Sequence, residues 1–105
     1  MSSISPDVVR QQVGFQVARL RTLSYAALRA LPEWRREEVL LGDRVATMTT
    51  YREEREDGAL EIVVQFMPEG RDTGQVWRGV FADGFLAHPS GALDPLPDSV
   101  RYFYM

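Results

Sequence analysis

A long amphipathic segment without an internal proline, residues 6–31, limits the possible folds of this chain most strongly. Ser5 supplies a capping hydroxyl, Pro6 suits the first helical position, and Pro32 marks the stop. At 100° per residue the segment forms one apolar stripe, made of Val9, Val13, Val17, Leu20, Ala27, Leu28 and Leu31. The pattern predicts one long N-terminal helix over residues 6–31, with this stripe packed against a core.

This predicted helix is long for so small a chain. It would measure about 39 Å at 1.5 Å per residue, whereas a compact domain of 105 residues is roughly 34 Å across. Val8, Phe15 and Ala26 also form a weaker apolar patch on the opposite side of the helix. Either the helix bends, with Gly14 as the weak point, or one end projects and is covered by something else. A partner subunit would explain both the length and the second patch, whereas a frayed first turn would explain only the length.

Strand-like segments follow the helix and are separated by turn signals. Three dipeptides suit two-residue hairpin loops: Gly42-Asp43, Asp57-Gly58 and Asp83-Gly84. The predicted strands cover residues 37–41, 44–56, 59–67, 75–82 and 85–88, and residues 32–34 could open a short helical turn. The chain is therefore predicted to be a single α+β domain, residues 1–105, with one long helix packed on an antiparallel β-meander of four to six strands.

The Asp57-Gly58 turn determines which side chains of the central hairpin lie under the helix. A two-residue loop pairs Tyr51 with Val64 and places Tyr51 on the face that the helix covers. The same register predicts that Met48, Val63 and Met67 cluster on the other face.

The C-terminal segment, residues 100–105, is aromatic and strongly β-prone. Exposed aromatic side chains on a free strand favour aggregation, so we expect this segment to dock as an edge strand or on a partner. The preceding residues 89–99 are rich in Pro, Gly, Ser and Asp, which is typical of a loop.

The composition argues against several classes of protein. The chain has no cysteine, so it has no disulfide, no thiolate nucleophile and no Cys-ligated metal. A net charge of −3 without a basic stripe argues against nucleic-acid binding. We find no signal peptide and no apolar run of about 18 residues, so we expect a cytoplasmic protein that does not enter a membrane. All twelve basic residues are arginine, and neither lysine nor asparagine occurs, which favours a GC-rich, bacterial genome.

His88 is the only histidine, and the residues around it do not form a nucleophile elbow. We therefore assign no catalytic residue, no metal site and no cofactor. A polar cleft between the helix and the sheet could instead bind a small acidic ligand, with Tyr51, Trp77, Arg78 and His88 as candidate lining residues.

The surplus of apolar surface favours a different function. The leading hypothesis is a non-enzymatic protein–protein interaction module that forms a homodimer or binds another protein. The candidate interface residues are Phe15, Met48, Met67, Tyr102, Phe103 and Tyr104. The alternative hypothesis is a small-ligand-binding domain or minor enzyme with its site between the helix and the sheet.

Overall fold

The structure is a computed structural model that describes residues 6–41, 44–68 and 81–104. The elements in chain order are α1 (Pro6–Arg21), α2 (Tyr25–Arg29), β1 (Trp34–Leu41), β2 (Arg44–Glu54), β3 (Leu60–Pro68), β4 (Phe81–Ala87), β5 (Leu93–Pro95) and α3 (Asp98–Phe103). This arrangement confirms the predicted α+β class, with an N-terminal helix packed on an antiparallel sheet.

The sheet is a meander whose five described strands lie in the order β1-β2-β3-β4-β5, each antiparallel to its neighbour. Helices α1 and α2 pack on one side of it, which we call the first face. Helix α3 packs on the opposite side, the second face. The sheet is therefore a central layer between helices of very different length.

The first face carries the main hydrophobic core. Val9, Val13, Val17 and Leu20 of α1 are buried there, as the predicted stripe requires, together with Leu28 of α2. Their partners are alternate residues of three strands: Ala46, Met48, Leu60, Ile62, Val64, Phe66, Phe85 and Ala87. Burying one large apolar side chain contributes about 1.5–3 kcal/mol, so this core is the main source of stability.

The N-terminal helix is shorter than predicted, because it ends at Arg21. A second helix begins after Ser24, whose extended backbone (φ −66°, ψ 160°) lets its Oγ accept the N–H of Ala27 at 3.1 Å. Serine can satisfy backbone groups locally in this way, which favours a new helix start over a continuous helix. At 16 residues, α1 is only about 24 Å long. The overhang expected from the sequence is therefore absent.

The loop of the β2–β3 hairpin also differs from the prediction. Glu54 pairs with Leu60, and the N–H of Arg55 donates to the carbonyl oxygen of Ala59 at 2.7 Å. The loop therefore consists of residues 56–58, one more than the Asp-Gly pattern predicts. Gly58 has a φ of 87°, the left-handed conformation that closes a three-residue hairpin loop.

This difference of one residue exchanges the two faces of β2, because side chains alternate along a strand. Tyr51 pairs with Val63 and lies on the second face, so its predicted position under the helix is wrong. Met48 pairs with Phe66 and is buried beneath α1. The predicted cluster of Met48 with Val63 and Met67 is therefore also wrong.

The predicted turn at Asp83-Gly84 is wrong as well, because β4 continues through both residues. Gly84 stands opposite Val63 in the ladder, where its missing side chain allows close approach of the β3 backbone. The first part of the predicted strand 75–82, residues 75–80, lies outside the described residues. Strand β5 falls within residues 89–99, whose composition predicts a loop.

The C-terminal segment is helical, not the edge strand that its composition suggests. Helix α3 docks on its own sheet, where Leu96, Val100 and Tyr104 pack against a second cluster on the sheet. The sheet residues of this cluster are Val63, Ala82, Leu86 and Tyr51. The aromatic tail is thus partly covered by its own chain without strand pairing.

Candidate functional site

Helix α3 is short and leaves much of the second face open. Five large apolar side chains on this side of the molecule are exposed, and we call them the open patch: Trp34, Leu40, Val45, Met67 and Phe103. Pairing across the strands places the first four on the second face, in line with Tyr51 and Val63. Phe103 belongs to α3, which packs on that face.

Four aromatic side chains form a row at one end of this patch. Trp34 of β1 lies opposite Tyr51 of β2, whose ring centroid is 4.9 Å from that of Tyr104. Phe103 meets the Tyr104 ring edge to face at 5.2 Å. The two ends of the row are the most open, with Trp34 59% and Phe103 81% exposed.

Aliphatic side chains form the other end of the patch. Leu40 lies opposite Val45, and Met67 lies opposite Thr47 on the next strand pair. Leu40 is 70% exposed although it lies within the regular β1–β2 ladder, one residue before the end of β1. Surface of this kind is unfavourable in water unless something covers it.

Two charged residues of β1, Arg36 and Glu38, lie between these two ends on the same face. The Arg36 guanidinium carbon is 5.8 Å from the centroid of the Trp34 ring, within the range of a cation–π contact. The open patch therefore has a charged centre between an aromatic end and an aliphatic end.

Hydrogen bonds hold the aromatic end in place. The Tyr51 hydroxyl donates to Gln65 Oε1 at 3.0 Å, and Gln65 Nε2 donates to the carbonyl oxygen of Tyr104 at 2.6 Å. Arg101 of α3 also donates to Asp83 of β4 at 3.3 Å. The position of α3 on the sheet is thus set by polar contacts as well as by packing.

A cleft of about 280 Å³ lies where α3 meets the end of the β2–β3 hairpin. Its lining residues are Glu53, Glu61, Ser99, Val100, Phe103 and Tyr104. Glu53 and Glu61 are directly opposite each other in the ladder, and Arg55 Nε pairs with Glu61 Oε1 at 2.6 Å. The cleft is acidic and is partly neutralised by one arginine.

This environment perturbs one titratable group. Burial raises the pKa of the Tyr104 phenol above its ordinary value, and the negative charges of Glu53 and Glu61 raise that pKa further, with a smaller contribution from Tyr51. Burial and nearby carboxylates both disfavour the phenolate.

We expect the Glu53→Gln substitution to lower the Tyr104 pKa toward the ordinary value of about 10, because it removes one negative charge from the cleft. The ¹³C chemical shift of the tyrosine ring, followed by NMR at alkaline pH, measures this change. Because the folded-state pKa is raised, the associated stabilisation is complete below the unfolded-state pKa and is lost as pH rises through the folded-state pKa. Glu37→Gln, on the first face of β1, is the matched control. An equal Tyr104 pKa in both variants would show that the negative charge of Glu53 does not raise the Tyr104 pKa.

The structure does not bring the described candidate ligand residues together. Tyr51 belongs to the cluster under α3 on the second face. His88 lines a different cavity, next to Tyr25 and Leu28 of α2, and its Nε2 lies 2.7 Å from Asp94 Oδ2. Trp77 and Arg78 lie outside the described residues, so the ligand site proposed from sequence stays a prediction.

The candidate interface residues are spread over the molecule. Phe15 is 58% exposed on α1, on the other side of the sheet from the open patch, and Met48 is buried in the core. Met67 and Phe103 belong to the open patch, and Tyr104 lies beside it. Tyr102 is part of α3, and nothing is described of its side chain.

Sequence reasoning missed the contribution of β1 to this surface. The sequence predicts a strand only over residues 37–41 and allows a short helical turn to open at residues 32–34, whereas β1 begins at Trp34. Residues 34–41 lack the alternation of apolar and polar residues that indicates a half-buried strand, because the four charged residues 35–38 fall on both faces.

Two other kinds of site are not seen in the part of the chain that the structure describes. Its His, Asp and Glu side chains form no group of three that could hold a metal ion. Its helices are all too short or too polar to cross a membrane. Comparisons with protein-family models, with curated proteins and with solved structures found no match.

Proposed function

We propose that this protein is a non-enzymatic protein–protein interaction module whose binding surface is the open patch on the second face. The observation that carries the proposal is the grouping of Trp34, Leu40, Val45, Met67 and Phe103 on one side of the sheet, all of them substantially exposed. Exposed large apolar side chains grouped on one face, here at two ends around the charged pair Arg36 and Glu38, are typical of a surface that another protein covers.

The composition of the patch supports this function. Tryptophan, tyrosine, phenylalanine, methionine and arginine are the residues enriched at protein interfaces, and all five types occur in the open patch or beside it. Most of the patch is built on β-strands, which present a rigid platform and reduce the entropy cost of binding. The absence of cysteine and the all-arginine composition support a bacterial, cytoplasmic setting for the interaction.

A small-ligand-binding domain or minor enzyme is the second candidate, and the cleft beside α3 is the observation that favours it. Glu53 and Glu61 would suit a cationic ligand there, not the acidic ligand expected from sequence. Binding of a small amine, followed by shifts in the NMR signals of Ser99 and Tyr104, would support this candidate. We rank it second because the cleft is small and Glu61 is already paired with Arg55.

The proposed function is tested by using the purified chain as bait in a bacterial extract. We expect Leu40→Arg and Met67→Arg to reduce the captured protein by about tenfold or more, because each places a charge in the apolar surface that must be desolvated. Phe15→Arg is the matched control, since the exposure of Phe15 lies between those of Met67 and Leu40 but Phe15 lies on α1. Equal capture by all three variants and the unaltered chain would contradict the proposal.

A further inference from the structure

The outer side of β1 is an open strand edge. β1 is the first strand in the sheet order, and none of the described strands pairs with its outer side. Its ladder with β2 is continuous from Trp34 to Leu41 and has no bulge. Proline and charged side chains commonly protect an edge; β1 has no proline, and its four charged residues, Arg35, Arg36, Glu37 and Glu38, are two cations and two anions that can pair with a strand of complementary charge order. Such an edge can accept a further strand.

The hydrogen bonds of β1 show which of its residues face this open edge. Arg52 donates its N–H to the carbonyl oxygen of Glu33 at 2.9 Å, next to the pair Trp34 and Tyr51. The bonded residues of an antiparallel pair alternate, so the odd-numbered residues of β1 bond to β2. The backbone groups of the even-numbered residues are directed outward: Trp34, Arg36, Glu38 and Leu40. These are the same residues whose side chains lie on the second face.

We propose that a second copy of this chain occupies the edge of β1, with the two β1 strands pairing antiparallel about a two-fold axis at Glu37. The inference rests on the proposed function and names the partner of β1, the strand that carries Trp34 and Leu40 of the open patch. A two-fold axis normal to the sheet leaves the second faces of both copies on the same side of the joined sheet. It places Arg36 opposite Glu38 of the second copy and Trp34 opposite Leu40 of the second copy, each pair occurring twice.

Charge complementarity favours this register over the two registers whose axis is shifted by one residue. An axis at Arg36 would set two arginines against each other and would oppose Trp34 to Glu38. An axis at Glu38 would set two glutamates against each other and would oppose Arg36 to Leu40. The axis at Glu37 leaves one like-charge pair, on the first face, where Arg35 Nε already lies 3.2 Å from Glu37 Oε1. Opposite charges across strands stabilise a pair, and like charges destabilise it.

The same register satisfies the backbone and covers the apolar side chains. The four outward residues of each β1 would form about eight N–H···O bonds across the axis. Trp34 and Leu40, both largely exposed, would cover each other twice on the second face. The two sheets would become one continuous sheet, and the two open patches would become one surface.

Charge reversal tests the register directly. Arg36→Glu and Glu38→Arg each create two like-charge pairs in a homodimer, and we expect each to raise the dimer Kd by about tenfold or more. A mixture of the two variants restores both opposite-charge pairs. One chain then has glutamate at positions 36 and 38, the other has arginine at both, and each glutamate faces an arginine in the heterodimer. We expect heterodimers in the mixture with a Kd within about threefold of the unaltered chain. Glu37→Gln removes the single repulsive pair and should tighten the dimer.

Sedimentation velocity from about 1 µM to about 1 mM measures these dissociation constants. Hydrogen exchange supplies a second readout that does not depend on any substitution. The amide protons of Trp34, Arg36, Glu38 and Leu40 should become protected as protein concentration rises, because none of the described strands pairs with the outer side of β1 in the single chain. Circular dichroism confirms that the variants are folded, as expected for exposed positions on β1.

The outcomes separate this inference from the proposed function. A chain that stays monomeric at about 1 mM overturns the self-pairing, even if Leu40→Arg and Met67→Arg lose captured protein from an extract. A dimer whose Kd is insensitive to Arg36→Glu and Glu38→Arg, or whose β1 amides stay unprotected, also overturns it. A dimer with the complementary mixing behaviour supports both the pairing and its register.

Discussion

Replacement of Gly84 by alanine is expected to destabilise the fold by about 3 kcal/mol or more. An ideal Cβ at Gly84 would lie 1.9 Å from the carbonyl oxygen of Ile62 and 3.0 Å from the Cα of Val63. Both atoms belong to the backbone of β3, in the centre of the sheet, and cannot move like the end of a flexible side chain. The strands β3 and β4 would have to separate, which would disturb both faces of the sheet.

Urea denaturation followed by circular dichroism measures this loss of unfolding free energy. Gly14→Ala is the matched control, because a Cβ at Gly14 meets no atom within 4 Å and Gly14 lies within α1. Alanine is the better helix former, so this control should stabilise the protein by about 0.5–1 kcal/mol. Equal effects of the two substitutions would show that β4 does not pass Val63 as closely as described.

The second large effect is expected from Met48→Arg, at about 3 kcal/mol or more of lost stability. Met48 is 7% exposed and packs beneath α1 with Val13, Phe66 and other apolar residues of the first face. An arginine there would either be buried without a counter-charge or displace α1 from the sheet. Both alternatives remove a large part of the core.

Met67→Arg is the matched control for this prediction. Met67 is the same residue type on the neighbouring strand, but it lies on the second face and is 46% exposed. An arginine at that position can reach water, so the change in unfolding free energy should stay within about 0.5–1 kcal/mol. A two-residue β2–β3 loop would place both methionines on the same face, and similar effects of the two substitutions would then be expected. The comparison therefore tests the register of the hairpin.

The helical part of the core could be predicted from sequence. The spacing of Val9, Val13, Val17 and Leu20 places four apolar side chains on one side of any helix formed there. Their burial against the sheet follows from this local periodicity alone. The end of α1 could not be predicted as reliably, because Ser24 is compatible with a continuing helix and with a new N-terminus.

The length of the β2–β3 loop decides which side chains of β2 lie under α1. Asp57-Gly58 fits both a two-residue loop and the last two positions of a three-residue loop with glycine at the left-handed position, so the dipeptide alone does not select between them. The choice is made by packing, because only the observed register places Met48 beside Phe66 under α1. The position of Tyr51, and with it the predicted ligand site, depended on that choice.

The open patch was only partly visible in the sequence. Met67, Phe103 and Tyr104 could be selected from composition as surplus apolar residues, whereas Trp34 and Leu40 depend on the start of β1 and on the part of the second face that α3 leaves uncovered. Val45 required the correct register. No local pattern states how far a short C-terminal helix reaches across a sheet.

By itself, the sequence determined the α+β class, the antiparallel strands and the buried side of α1, because these follow from periodicities of about 3.6 and 2 residues and from turn residues. Only the tertiary structure decided the helix break, the hairpin register, the path of β4 and the docking of α3. Those features depend on competition between packing arrangements that are nearly equal in local energy, and contacts between residues distant in the chain resolve that competition.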